Sequence, residues 1–171
     1  MSTNCLSPCV KSSIAILLAV AGVIAGAARV TTQAPASLPS LTVATTAGLP
    51  QTTDALVRAG AWVMVVSPGS CPPCGALFTT LDTAVPSSEM SRVVIALSGG
   101  TPAQVLAVQP RHVHLGRAEW VLDPSRLLLP ALGVSGSPLL VGLRDDRIHW
   151  MRSAAGMSEA QLRAVLSSWI R

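Results

Sequence analysis

Cys71 and Cys74, in Ser70-Cys71-Pro72-Pro73-Cys74-Gly75, are the residues of this chain best suited to chemistry. The apolar run Trp62-Val63-Met64-Val65-Val66 precedes them, and Ala76, Leu77, Phe78 and Leu81 follow at helical spacing. This pattern predicts a strand that ends, and a helix that begins, at the pair. A thiol at a helix start lies where unpaired N–H groups and the positive end of the helix dipole favour a thiolate. A second thiol one turn along is within bonding reach. Reversible disulfide formation is the chemistry such a position suggests. Structural zinc, a static disulfide and two packed thiols are the other uses of a C-x-x-C pair, although a tetrahedral zinc site needs four ligands and this domain offers one cysteine pair.

The elements that must hold the pair follow from hydrophobic pattern and turn chemistry. Residues 93–97 read as a second buried strand ended by Ser98-Gly99-Gly100, and Pro102 opens a short helix through Val108. Strand, helix and strand in this order imply a parallel pair with a right-handed crossover. Residues 119–122 read as a further strand. Asp123 or Ser125 can then cap a helical turn carrying Leu127, Leu128, Leu129 and Leu132, ended by Gly133. Residues 139–143 and 148–151 flank the polar loop Arg144-Asp145-Asp146-Arg147 as an antiparallel hairpin. Ser158-Glu159-Ala160-Gln161 is a capping box, and Leu162, Val165, Leu166 and Trp169 give the last helix one apolar face to cover a sheet. Upstream, a first strand is expected at residues 41–45 and a short helix over 53–58, capped by Thr52 or Thr53.

A chain of 171 residues, half of them apolar, holds one domain comfortably. Its formal charge of +4 comes from 12 Lys and Arg against 8 Asp and Glu, scattered without runs or aromatic interleaving. That is a weakly positive surface and not a nucleic-acid footprint. Residues 12–28 carry no charge between Lys11 and Arg29, at the lower length limit for crossing about 30 Å of hydrocarbon. They read as an uncleaved anchor, or as the core of a signal peptide with Ala25-Gly26-Ala27 as a cleavage pattern. Either reading exports the chain beyond Arg29, and cleavage near Ala28 would give a secreted form. No cysteine stands at a lipobox position after the apolar run, which sets aside a lipoprotein. The expected organisation is a cytoplasmic segment 1–11, a membrane anchor 12–28, a Thr-, Ala-, Ser- and Pro-rich tether 29–49 and a folded domain 50–171. With Lys11 inside, Cys5 and Cys9 lie across the membrane from Cys71 and Cys74 and are assigned no role.

A strand, a C-x-x-C helix, a crossover, then Gly133-Val134-Ser135-Gly136-Ser137-Pro138 leading to a hairpin and a last helix resembles the thioredoxin superfamily, over residues 62–171. In layout the chain is most similar to the exported, membrane-tethered TlpA-like thiol–disulfide oxidoreductases and the MauD-like accessory proteins of methylamine dehydrogenase maturation. Their site pattern resembles Ser67-Pro68-Gly69-Ser70-Cys71-Pro72-Pro73-Cys74. The resemblance implies an α/β fold, a three-layer sandwich with a mixed central sheet and helices on both faces, preceded by one N-terminal apolar helix. It also implies that Cys71 is the attacking thiol, Cys74 the resolving thiol and Pro138 a cis-proline beside them. Ser137, Pro138, Pro72 and Pro73 would meet the substrate. The implied activity is dithiol exchange with disulfides of exported protein partners, supplied by an upstream membrane or periplasmic thiol donor and needing no cofactor or metal. The implied place is a bacterial inner membrane with the domain on the periplasmic side, serving cytochrome or periplasmic dehydrogenase maturation.

The chain departs from that pattern in places. Ser70 stands where the family commonly has Trp, and no acidic residue or lysine lies in the strands beside the site as a buried proton carrier. The nearest acids, Asp54 and Asp82, read as a turn residue and a solvated helix position. Pro72 and Pro73 have no N–H, so the helix start offers the Cys71 thiolate fewer donors, which favours a reductant or isomerase over a strong oxidase. Two alternatives keep a thioredoxin-like fold. One is a copper metallochaperone using His112, His114 or His149 with the cysteines, against which the spacing argues. The other is a redox-inactive tethered adaptor.

Overall fold

A run such as residues 62–66, apolar on both faces, is stable only in the middle of a sheet covered from two sides. The computed structural model describes residues 36–71 and 74–170, and it places this run so. Among the described residues the strands are β1 (Thr42–Thr45), β2 (Pro50–Thr52), β3 (Arg58–Pro68), β4 (Val93–Ser98), β5 (Glu119–Asp123), β6 (Leu139–Asp145) and β7 (Arg147–Ser153). The helices are α1 (Cys74–Ala84), α2 (Pro102–Val108), α3 (Leu128–Ala131) and α4 (Glu159–Trp169), with 3-10 turns between them. The strands form one sheet in the order β2-β1-β5-β4-β3-β6-β7. β3, β4 and β5 run parallel, with Val65 beside Ile95 and Ile95 beside Trp120. β6 returns antiparallel on β3 and pairs in turn with β7.

Alternation along β3 divides the core in two. Val63 and Val65 pack with Leu77, Phe78 and Leu81 of α1, Val105 of α2, and Leu162 and Leu166 of α4. Trp62, Met64 and Val66 face the other way, onto Leu56 and onto Leu128 and Leu132 at α3. The expected mixed sheet with helices on both faces is present, although the second face carries only the four-residue α3 and a 3-10 turn at Thr53–Leu56. The N-terminal apolar stretch 12–28, with Cys5 and Cys9, lies outside the described residues. No helix among the described residues is long and apolar enough to cross a membrane.

Three local expectations change. The strand expected at 41–45 is present as β1, but it stands between β2 and β5 with Leu38 and Val43 buried, so the folded domain takes in residues that composition gave to the tether 29–49. The fully buried Thr53 fastens this edge, its hydroxyl donating to the Pro39 carbonyl (2.6 Å) and accepting from the Leu41 N–H (3.0 Å). That same use takes Thr53 away from capping, and the expected helix 53–58 is one 3-10 turn with no side-chain cap. The hairpin is also tighter than its polar loop suggests, since Arg144 already pairs with Arg147 and Asp145 makes the turn at φ 54°. The last helix has the expected capping box: the Gln161 N–H donates to the Ser158 hydroxyl, and the Ser158 N–H to the Gln161 side chain.

Candidate redox site

β3 ends at Pro68 and α1 begins at Cys74, so the cysteines stand where strand gives way to helix, as their spacing predicts. The approach needs glycine. A Cβ on Gly69 would lie 2.6 Å from the Gly100 Cα, and the Gly69 N–H donates to the Ser98 carbonyl (2.9 Å). The loop before Cys71 therefore lies directly on the turn after β4. Cys71 and Cys74 are joined as a disulfide with their Cα atoms 5.3 Å apart. The two sulfurs differ in setting: Cys71 is half-buried, while Cys74 is 1% exposed and part of the core over β3.

Two clefts meet at Cys71. The larger, about 520 Å³, runs between α1 and the loop before α4, and its walls include Cys71, Leu77, Ser137, Pro138, Met157 and Leu162. The smaller, about 260 Å³, is walled by Cys71, Cys74, Phe78, Leu97, Gln104 and Val108. Glu159, paired with Arg163 one helical turn on, is the charged residue of the larger cleft; the smaller has none. Ser137–Pro138 is a cis peptide, Pro138 is buried, and the Pro138 carbonyl accepts from the Ala154 N–H (2.8 Å). Among the described residues the Ser137 backbone has no hydrogen-bond partner. The structure thus brings Cys71, Cys74, Ser137 and Pro138 together. Pro72 and Pro73 lie outside the described residues.

Donors to the Cys71 sulfur are few. The N–H of Cys74 donates to the Cys71 carbonyl (3.0 Å), and Pro72 and Pro73 have no N–H. Ser67 is a functional candidate that the motifs do not single out. This fully buried residue shares the face of Val63 and Val65 toward α1, and its hydroxyl lies 3.1 Å from the Cys74 sulfur. Period-two alternation carried two residues past Val65 would have placed it there.

The acids and histidines lie elsewhere. Asp54 is an exposed turn residue that accepts from the Ser40 hydroxyl. Asp82 is a correction: it is not a solvated helix position, because its carboxylate accepts from the N–H groups of His114 (2.7 Å) and Leu115 (2.8 Å) and ties α1 to the segment before β5. His112 meets the edge of Phe78 with ring centroids 6.3 Å apart, and His149 packs on Trp169 at 5.4 Å. Neither cleft at the disulfide is lined by a histidine.

A mixed sheet with a disulfide at a strand-to-helix turn and a cis-proline facing it defines the thioredoxin-like fold, and comparison with solved structures gives the same fold. A secreted Mycobacterium tuberculosis disulfide oxidoreductase, homologous to Escherichia coli DsbE, is similar at 18% identity and a TM-score of 0.58, over 75% of this chain and 95% of that one. A thiol:disulfide interchange protein of the thioredoxin family from Chlorobium tepidum is similar at 15% identity and a TM-score of 0.59, over 81% and 99%. The thioredoxin domain of a Bacteroides vulgatus thiol–disulfide oxidoreductase is similar at 10% identity and a TM-score of 0.61, over 81% and 99%. No protein-family model matches this sequence, and no curated protein matches it. At these identities the likeness establishes the fold, and the chemistry rests on the Cys71–Cys74 pair itself.

Proposed function

We propose that this protein is a thiol–disulfide oxidoreductase that exchanges its Cys71/Cys74 dithiol with disulfides of exported protein partners. The observation that carries the reading is the unequal exposure of two bonded sulfurs at the meeting of two clefts: Cys71 is open to a partner and Cys74 is 1% exposed behind it. Such an arrangement suits Cys71 to attack and Cys74 to resolution. Pro138 shapes the wall beside Cys71, and the free backbone of Ser137 offers an edge to an extended substrate segment. Pro72 and Pro73, between the two cysteines in sequence, are proposed as further substrate contacts.

The direction we assign is reduction or isomerisation. Two prolines and an engaged Cys74 N–H leave the Cys71 thiolate weakly supported, and a less stabilised thiolate makes a weaker oxidant. Equilibration of the purified domain against thiol redox buffers tests this. Mild reduction should release two thiols with a midpoint below about −200 mV, on the thioredoxin side of the known range. A midpoint near about −120 mV would reverse the direction, and two cysteines alkylated under oxidising conditions would remove the couple.

Residues 12–28 are proposed as the anchor that holds the domain outside the bacterial cytoplasm, in the TlpA-like and MauD-like manner, beside an upstream thiol donor and a maturing cytochrome or dehydrogenase. A reporter enzyme active only outside the cytoplasm, fused after Arg171, should be active and remain with the membrane after a carbonate wash. Release of a chain beginning near Ala28 would replace the anchor by a cleaved signal. Activity of a cytoplasm-only reporter would end the export reading.

A further inference from the structure

Cys74 must lose a proton before it can resolve a mixed disulfide, yet it is buried where no carboxylate or amine reaches it. The cleft that opens on it is walled by Pro68, Gly69, Cys71, Phe78, Leu97 and Gln104, with Cys71 its other titratable group. The core against it, from β3, β4, α1, α2 and α4, is apolar. His112 meets Phe78 and lines neither cleft, Asp82 is held by the His114 and Leu115 N–H groups, and Glu159 stands on the other cleft with Arg163. One polar side chain does reach the sulfur. The Ser67 hydroxyl lies 3.1 Å from Cys74 Sγ and 3.3 Å from the Pro68 carbonyl.

We propose that Ser67 is a catalytic residue of the resolving step, a hydroxyl that turns between two partners as Cys74 changes protonation. This rests on the exchange reading above. In the reduced protein the Cys74 thiol donates to Ser67 Oγ while the Ser67 hydroxyl donates to the Pro68 carbonyl. When the thiol proton leaves to solvent through the smaller cleft, the hydroxyl turns and donates to the thiolate. Ser67 keeps its own proton throughout and stabilises a charge that no other side chain reaches. The thiolate then attacks Cys71 Sγ in the mixed disulfide. The Cys71–Cys74 bond forms, the Cys71–substrate bond breaks and the substrate sulfur departs as a thiolate that solvent protonates. The dithiol has lost two electrons and the substrate disulfide has gained them.

The two attacks can be read separately with 5,5′-dithiobis(2-nitrobenzoate). Reduced protein releases one aryl thiolate when Cys71 attacks and a second when Cys74 displaces the aryl group from Cys71. Ser67→Ala should leave the first release unchanged and move the pH midpoint of the second upward by about one pH unit, as expected for one lost hydrogen bond to a charged group. Below the midpoint the thiolate fraction falls about tenfold while the more basic thiolate gains about threefold in nucleophilicity, so the second release slows about threefold. Well above the midpoint the sign reverses, and the variant resolves about threefold faster than the parent. Loss of a merely structural hydroxyl would slow release at every pH and could not produce this crossing. An unmoved second midpoint, or an equal change in both releases, would overturn the role of Ser67 and leave dithiol exchange standing. Absence of two releases in the parent protein would overturn the exchange reading itself.

Discussion

Cys74→Ser is expected to turn the protein into a trap, in which Cys71 stays covalently joined to the first disulfide partner it attacks. The sequence of bonds requires this. Cys71 breaks the partner's disulfide, one partner sulfur departs, and the other remains bonded to Cys71 until Cys74 displaces it. Without the Cys74 sulfur the second displacement has no nucleophile within the protein, because the serine hydroxyl that replaces it does not displace a thiolate. The adduct should appear on non-reducing gels and disappear with dithiothreitol. Cys71→Ser should form no adduct, and turnover on a protein disulfide should fall by about a thousandfold or more, as in enzymes stripped of a nucleophile. Adducts formed through Cys74 in Cys71→Ser at the rate of the parent would exchange the two roles. Turnover retained in both variants would mean that the disulfide is structural.

The parts of this fold that show in the sequence are those where one physical requirement decides the residue types. A strand buried on both faces must be apolar throughout, so residues 62–66 and 93–97 announce β3 and β4. A reciprocal cap must pair Ser158 with Gln161, and a strand-to-helix turn is where a reactive C-x-x-C pair is expected. β1 shows as the strand expected at 41–45, but β2 and the pairing that draws both into the sheet are hidden, because a short antiparallel pair at a sheet edge needs few apolar side chains. Val43 and the Thr53 hydroxyl hold it, and Thr, Ala and Pro between them read as tether. Asp82 is hidden for a different reason. A half-buried carboxylate on a helix looks solvated until the His114 and Leu115 N–H groups, 32 and 33 residues away in sequence, arrive beside it. The site divides in the same way. Cys71 and Cys74 can be named from local pattern and Pro138 from the resemblance that its segment carries, whereas Ser67 acquires meaning only when α1 is laid on the face of β3 that it shares with Val65.

Asp123→Ala is expected to cost about 3 kcal/mol of stability, because this carboxylate alone satisfies several donors at the end of β5. Of the two candidate caps for the segment carrying the leucines, Asp123 is the one that acts. Its side chain accepts from the N–H groups of Leu127 and Leu128, both at 3.0 Å, and from the Ser98 hydroxyl at 3.2 Å. Asp123 is 1% exposed and Leu128 is fully buried, so an alanine would leave the Leu128 N–H with neither the carboxylate nor ready access to water. A buried donor left unpaired costs about 1–3 kcal/mol, and at least two are affected here. The backbone of Asp123 would still hold the Gly99 N–H (2.7 Å) and the Arg126 N–H (3.1 Å), so the β4–β5 register should survive and the unfolding slope in urea should not change. Asp123→Asn should lose less, since its amide keeps one acceptor oxygen but turns an NH₂ group toward a donor. The consequence for the site runs through α3, which ends at Ala131 and is followed by the left-handed Gly133 on the way to Pro138. Exchange with a protein disulfide should fall more than exchange with a small aromatic disulfide, because only the protein needs the Ser137 edge in place. An unfolding free energy from urea titration within about 0.5 kcal/mol of the parent would show that sheet pairing holds this corner and that the carboxylate adds nothing to it.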